Sequence, residues 1–498
     1  MISLTVLLVG FLLVYAILVR RERKSAPKHP GPRGLPFIGN ALQLPKSKGW
    51  LTFTKWTKIY NSPVIYANAL GQELLIVNSR KDAEELLDNR APISSDRPAV
   101  PLVQMIGWDN QTPIMHYGNL WRRHRKMLHQ SLRKSAIEDY ESLFAEKSVQ
   151  FMHNLAQNPA EFMRHCKVYG VSIILDLVYG YDVGPNGNEF FSTSEEVFDR
   201  TNRALLPGRF AVNSFPVLQY LPRWFPGAGF HDFATEVREE ANEMRGMPFN
   251  FAKKNWVNGV GKPSLVGTWL KDGEGGEEED TIVGDMAVGI FGAGFETTAT
   301  ALMSLFLALT LYPEVQRKAQ QEIVKVMGEH RLPSLKDRPH LPYLEAIYRE
   351  ILRWRPPLPL DLPHKMNEPD TYEGYFIPSG TLILANIWAM TRDESVYPEP
   401  EEFRPERFLN PDGTLNDSDD RVLAYGFGRR VCPGKYLASA SVWLASTRII
   451  SFFDISKAKD AMGNEIEVTG EHTDDLISRP VDFQCSINLR RDLEDLNE

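Results

Sequence analysis

Apolar positions along most of this chain recur every three to four residues, the spacing of helices with one buried face. The N-terminus departs from that pattern. Residues 2–19 are uncharged and almost wholly apolar, and a helix of that length spans roughly 27 Å, enough for a hydrocarbon core. Arg20-Arg21-Glu22-Arg23-Lys24 follows at once. A cleaved signal would carry its positive charge before the apolar run. The observed order predicts a single-pass anchor over residues 1–20, with the basic end and everything after it in the cytosol. Prolines 27, 30, 32, 36 and 45 then predict a stiff, basic, proline-rich linker over residues 21–48.

Within the body, residues 49–498, helical patterning covers 50–60, 137–179, 343–354 and 437–453, and another helix opens at Trp121. Short β-like runs at 64–66 and 74–78 flank Gly71-Gln72 and predict a hairpin; residues 371–386 are strand-like. Residues 81–89 read as a short amphipathic helix, and 90–115 as a long irregular loop. The longest helix is predicted over 282–312, closed by Pro313 and preceded by the acidic, glycine-rich loop 272–280. It is apolar on nearly every side, so it should be buried. Residues 207–230 are proline-rich and aromatic; Trp and Phe there would be costly to expose unless they met a membrane, a ligand or a partner. The sum is mostly α with minor β sheets and no βαβ repeat.

Composition narrows the function. Hydrophobic content of 43% supports a large core, and the net charge of -8 is spread along the chain, which disfavours nucleic acid as a partner. Three cysteines are too few for a disulfide framework and fit a reducing compartment. Cys166 sits in a helical pattern as a core thiol. Cys432 sits in Tyr425-Gly426-Phe427-Gly428-Arg429-Arg430-Val431-Cys432-Pro433-Gly434. Glycines let that loop turn sharply and aim amides at the sulfur, and guanidiniums beside it favour a thiolate, either nucleophile or metal ligand. A buried structural cysteine is the plain alternative. In the longest helix, Glu296-Thr297-Thr298 follows Gly292-Ala293-Gly294. A charge in a buried helix is expensive, and a carboxylate beside hydroxyls can pass protons. Glu350 and Arg353 form an i,i+3 pair.

Taken in order, these motifs resemble the cytochrome P-450 family of haem-thiolate monooxygenases, membrane-anchored eukaryotic type. The cysteine loop matches the family signature except that Tyr425 replaces phenylalanine. Glu350 to Arg353, Pro405-Glu406-Arg407-Phe408, Ala293 to Thr298, and Trp121 with Arg125 match the remaining motifs. The resemblance implies haem b with Cys432 as axial ligand. It implies Glu296 and Thr297 as a proton relay, and Ala293 and Gly294 beside the haem, with Gly294 leaving room for dioxygen. Trp121, Arg125, His364 and Arg430 would hold the propionates, and Glu350, Arg353 and Arg407 would form a structural ion network. It further implies electrons from NADPH through a membrane NADPH–cytochrome reductase, docking on Arg122, Arg123, Lys126, Arg429 and Lys435. The enzyme would then lie in the endoplasmic reticulum membrane and act on a hydrophobic small molecule. The likeness is strongest to fungal secondary-metabolism members, whose substrates are terpenoids, triterpenoids or polyketides. Substrate contacts would come from residues 98–115, 205–230, 356–363 and 474–480. A haem-thiolate isomerase or dehydratase needing no reductase, and a haem- or steroid-binding protein without turnover, are the competing readings; the intact Glu296-Thr297 pair favours the monooxygenase.

Overall fold

The computed structural model describes residues 27–184, 189–206, 208–328, 331–416 and 422–491. The expected membrane helix and the basic run after it lie outside the described residues. The chain forms two compact units. One contains the described residues up to Pro98 together with Leu360–Met390; the other contains Ala99–Pro359 and the chain from Thr391 onward. Among the described residues the helices of twelve residues or more are α1 Gly49–Tyr60, α2 Asn119–Leu132, α3 Glu141–Gln157, α4 Phe162–Tyr179, α5 Glu189–Leu205, α6 Phe230–Val257, α7 Glu277–Leu311, α8 Pro313–Met327, α9 Pro342–Trp354 and α10 Lys435–Phe452.

The smaller unit is built on a four-stranded sheet of β1 Val64–Ala69, β2 Gln72–Val77, β3 His364–Lys365 and β6 Leu382–Ala385, in the order β1-β2-β6-β3. The hairpin predicted around Gly71 is present. Its two-residue turn, Leu70-Gly71, has φ of 54° and 89°, the paired left-handed conformation that continues strand twist. A separate hairpin joins β4 Asp370–Tyr372 to β5 Tyr375–Ile377. The proline-rich segment is sewn to these strands from Pro27 onward. Tyr66 N donates to Pro30 O at 2.9 Å and Phe376 N to Pro27 O at 2.8 Å. A side chain on Gly31 would collide with Tyr66 O, so the backbone there can only be glycine.

The larger unit is helical. α7 runs through it, packed by α4, α6, α9 and α10. It is long and apolar enough to cross a membrane by length, yet most of its apolar surface is buried by these neighbours. Close approach of α4 depends on Gly170, where a Cβ would lie 2.6 Å from Phe295 O. The acids expected in a loop before the helix, Glu277 to Asp280, form its first turn, where the dipole favours them. The pattern predicted as one helix over 137–179 breaks at Asn158-Pro159 into α3 and α4, because proline cannot continue the hydrogen-bond ladder. Cys166 is fully buried in α4, as expected of a core thiol. The predicted loop 90–115 contains short helices Ala91–Ser94 and Pro101–Ile106. A last pair of strands, β7 Phe453–Lys457 and β8 Cys485–Leu489, follows α10.

Candidate functional site

Cys432 lies three residues before the start of α10, on a loop turned by Gly426 and Gly428 at φ of 73° and 56°. The Cys432 amide donates to Tyr425 O at 2.9 Å and the Val431 amide to Gly428 O at 3.2 Å, so these two hold the turn. The N-terminal end of α10 and Arg125 favour a thiolate there. The Arg125 guanidinium donates to Val431 O at 2.9 Å. Burial lowers its pKa, and the charge of Cys432 works against that shift.

Trp121, Arg125 and Arg430 converge beside this loop. Both guanidiniums sit against the Trp121 indole, Arg125 at 5.7 Å and Arg430 at 4.6 Å from its centroid. Arg430 also donates to Thr112 O at 3.2 Å and Met115 O at 2.9 Å. Trp121 is 5% exposed, and its Nε1 has no hydrogen-bond partner among the described residues. Arg125 likewise has no carboxylate partner there. An indole N–H and a buried cation without an acidic partner, next to a sulfur donor, form the donor set that a haem with two carboxylate arms requires. The residues present fit that group.

Of the family-type basic patch, Arg122, Lys126 and Arg429 are exposed. Arg123 is drawn into an ion pair with the buried Glu279 of α7 and leaves the patch. Tyr117 lies between the guanidiniums of Arg122 and Arg429, 4.9 and 5.4 Å away.

Beyond its exposed first turn, α7 is open along one stripe. Ile290, Ala293 and Thr297 are partly or fully accessible, spaced three and four apart on one face. Thr297 Oγ1 donates to Ala293 O at 2.8 Å. A Cβ at Gly294 would lie 2.8 Å from Ile174 Cδ1, so the glycine allows close packing against α4. Glu296 is mostly buried. Its Oε2 accepts from Asn202 Nδ2 at 3.1 Å and its Oε1 is 3.6 Å from Arg479 Nη1. Burial pushes its pKa up, with Arg479 pulling the other way. Asn202 and Arg479 had no signature in the sequence.

Glu350 is the centre of a buried ion network. Arg353 donates to it through Nε at 2.5 Å and Nη2 at 2.8 Å, Arg407 Nε through 3.2 Å, and the Arg404 amide through 2.8 Å. The remaining Arg353 and Arg407 donors hold the carbonyls of Thr391, Pro398, Glu399, Pro400 and Glu402. Tyr425, where the family has phenylalanine, places its hydroxyl 2.6 Å from that of Tyr348 in α9. The substitution is accommodated by a partner, and no polar group is stranded.

In the smaller unit, His364 is 1% exposed and its Nδ1 lies 3.0 Å from Ser94 O, so it is no surface histidine. Arg97 is buried close to it in sequence pairing, donating to Leu362 O at 2.5 Å and Pro363 O at 2.8 Å. Burial lowers its pKa to about 10.

A helical body around one long axial helix, with a cysteine loop beside the half-buried Arg125 and Arg430, fits a haem-thiolate protein. The comparisons agree. The cytochrome P-450 family description matches residues 29–481, and the chain belongs to that family. It is similar to cytochrome P-450 monooxygenase claR of Ampulloclitocybe clavipes, 37% identical over 98% of this chain and 91% of that protein. It is also similar to monooxygenase ple1 of Rhodocybe pseudopiperita, 38% identical over 94% and 91%, and to monooxygenase 176 of Postia placenta, 37% identical over 97% and 95%. The protein is a haem-dependent monooxygenase that takes electrons from a redox partner.

Proposed function

We propose that this monooxygenase hydroxylates, or oxidises further, a lipophilic small molecule of fungal secondary metabolism, a terpenoid, triterpenoid or polyketide. Bound haem supplies dioxygen activation, favoured by electron density from a cysteine thiolate. Cys432 is the residue that would hold the iron, with Trp121, Arg125 and Arg430 on the propionates; the family resemblance adds His364. Ala293 offers a small side chain on the open stripe of α7, against which a flat macrocycle and a substrate can lie. Glu296 and Thr297, adjacent on α7, pass protons inward from solvent. The observation that carries the reading is this acid–hydroxyl pair, retained where the helix opens. Electrons come from NADPH through a membrane reductase that meets the remaining basic surface of Arg122, Lys126, Arg429 and Lys435. Replacing Glu296 and Thr297 together by alanine is expected to lower product per NADPH by about 10²-fold or more. Product and NADPH consumption measured together check this; unchanged coupling would remove the relay assignment.

The reading also places the enzyme on the endoplasmic reticulum membrane, with residues 1–20 as anchor and the catalytic body in the cytosol. Residues 215–225 support a second contact with the bilayer. Tyr220 and Trp224 are 80% and 81% exposed, and Phe215, Val217 and Phe225 are exposed beside them, a cluster that water disfavours. A protein lacking residues 1–26 should still float with liposomes. Phe215→Glu with Trp224→Glu in that background should release most of it. Release by the N-terminal deletion alone would leave the aromatic cluster without this role.

A further inference from the structure

The carboxylate of Glu296 is approached from two sides by elements outside α7. From α5 comes Asn202, whose amide reaches Oε2. Asn202 is one turn beyond Phe198, and Phe198 fills the space left by Gly292, where a Cβ would lie 2.3 Å from the ring. Phe198 on Gly292 and Asn202 on Glu296 are both four residues apart, so a single register of α5 on α7 sets both contacts. From the C-terminal hairpin comes Arg479, whose Nη1 is 3.6 Å from Oε1.

Residues 473–479, the turn that carries Arg479, are tied together by hydrogen bonds. Thr473 N donates to Arg479 O at 2.8 Å, and Ser478 N donates to Pro357 O at 2.8 Å. Ser478 Oγ donates to Thr473 O at 2.9 Å, and Arg479 N to Thr473 Oγ1 at 3.3 Å. Ile477 and Ser478 are buried. The guanidinium is thus delivered from a fixed backbone. At 3.6 Å it lies beyond direct hydrogen-bond length from the carboxylate. It attracts the charge of Glu296 without holding both of its lone pairs.

We propose that Arg479 and Asn202 are positioning residues for the Glu296 relay, Asn202 holding one carboxylate oxygen by a hydrogen bond and Arg479 drawing the other by charge. The proposal rests on the relay reading of Glu296. Other charges that face Glu296 do not replace Arg479. Lys167 of α4 is engaged by Glu195 at 2.7 Å, and Asp199 of α5 is engaged by Arg203 at 2.7 Å. Asp199 opposes ionisation of Glu296 and Lys167 assists it. Burial already favours the protonated acid, so loss of the guanidinium moves the titration further upward.

The test uses the full-length, haem-loaded enzyme with its reductase. Arg479→Gln should raise the midpoint at which Glu296 protonates by about one pH unit, a modest value because the guanidinium is partly solvated. The readout is the protonated-carboxyl infrared band that Glu296→Gln removes. The pH profile of product per NADPH should move by the same amount and in the same direction. Arg479→Lys should restore most of it, and Asn202→Leu should shift it in the same sense. The reduced carbon monoxide spectrum, which a folding defect would alter, should stay unchanged in all three. If Glu296→Gln lowers coupling while Arg479→Gln leaves both band and profile in place, the positioning role is wrong. If Glu296→Gln itself leaves coupling unchanged, the relay reading fails and takes this inference with it.

Discussion

Cys432→Ser is expected to abolish monooxygenation, leaving only the background of reductase alone, and to remove the thiolate-type Soret band of the reduced, carbon monoxide-bound protein. The expectation follows from the donor set. No other described cysteine can substitute, because Cys166 is enclosed in α4 and its thiol is pushed well above its ordinary range by burial, and Cys485 is pushed up to about 12 for the same reason. A serine hydroxyl in the same place stays protonated near neutral pH and donates far less electron density. Folding should survive, since the turn is held by backbone bonds from Cys432 N to Tyr425 O and from Val431 N to Gly428 O that serine preserves. The unfolding free energy should change by less than ~1 kcal/mol. A serine variant that kept the thiolate spectrum would displace Cys432 from the iron.

The second large effect belongs to Glu350. Its side chain is fully buried between Arg353 and Arg407, themselves 3% and 4% exposed. Glu350→Ala would leave two guanidiniums in the interior with no counter-charge, a loss of about 3–5 kcal/mol. Domains of ordinary stability have only ~5–15 kcal/mol in hand, so a large part of the molecule's margin disappears. Denaturant unfolding and haem content per chain should fall together. Arg353→Lys should fare little better, because an ammonium cannot reproduce the forked contact to Glu350 or reach the carbonyls of Thr391 and Pro400 at once. A Glu350→Ala protein with wild-type unfolding midpoint would show the network to be dispensable.

Much of this site could be read from the chain because motif chemistry is local. Glu350 and Arg353 are one helical turn apart, and Glu296 and Thr297 are adjacent, so spacing alone joins them. The same locality hid the rest. Arg407 joins Glu350 through a return of the chain that no periodicity announces, and only the family motif places it there. Asn202 and Arg479 are single polar residues in a helix and a hairpin, and nothing near either marks it as a neighbour of Glu296. Helix α6 was not foreseen: Pro248 lies inside it, a residue that ordinarily argues for a break. Where the pattern of 137–179 was read as continuous, a single Asn158-Pro159 outweighed it.

The alternation along α7 has an evolutionary side. A methyl group at Gly292 would strike Phe198, and one at Gly294 would strike Ile174. Ile290 and Ala293, between and beside them, face the open stripe. Adjacent positions on this helix therefore tolerate a larger side chain to very different degrees. Change can accumulate at Ile290 and Ala293, while the two glycines admit it only where Phe198 or Ile174 gives way. New chemistry over the same helix would be reached by small steps on one face, with the opposite face acting as its ratchet.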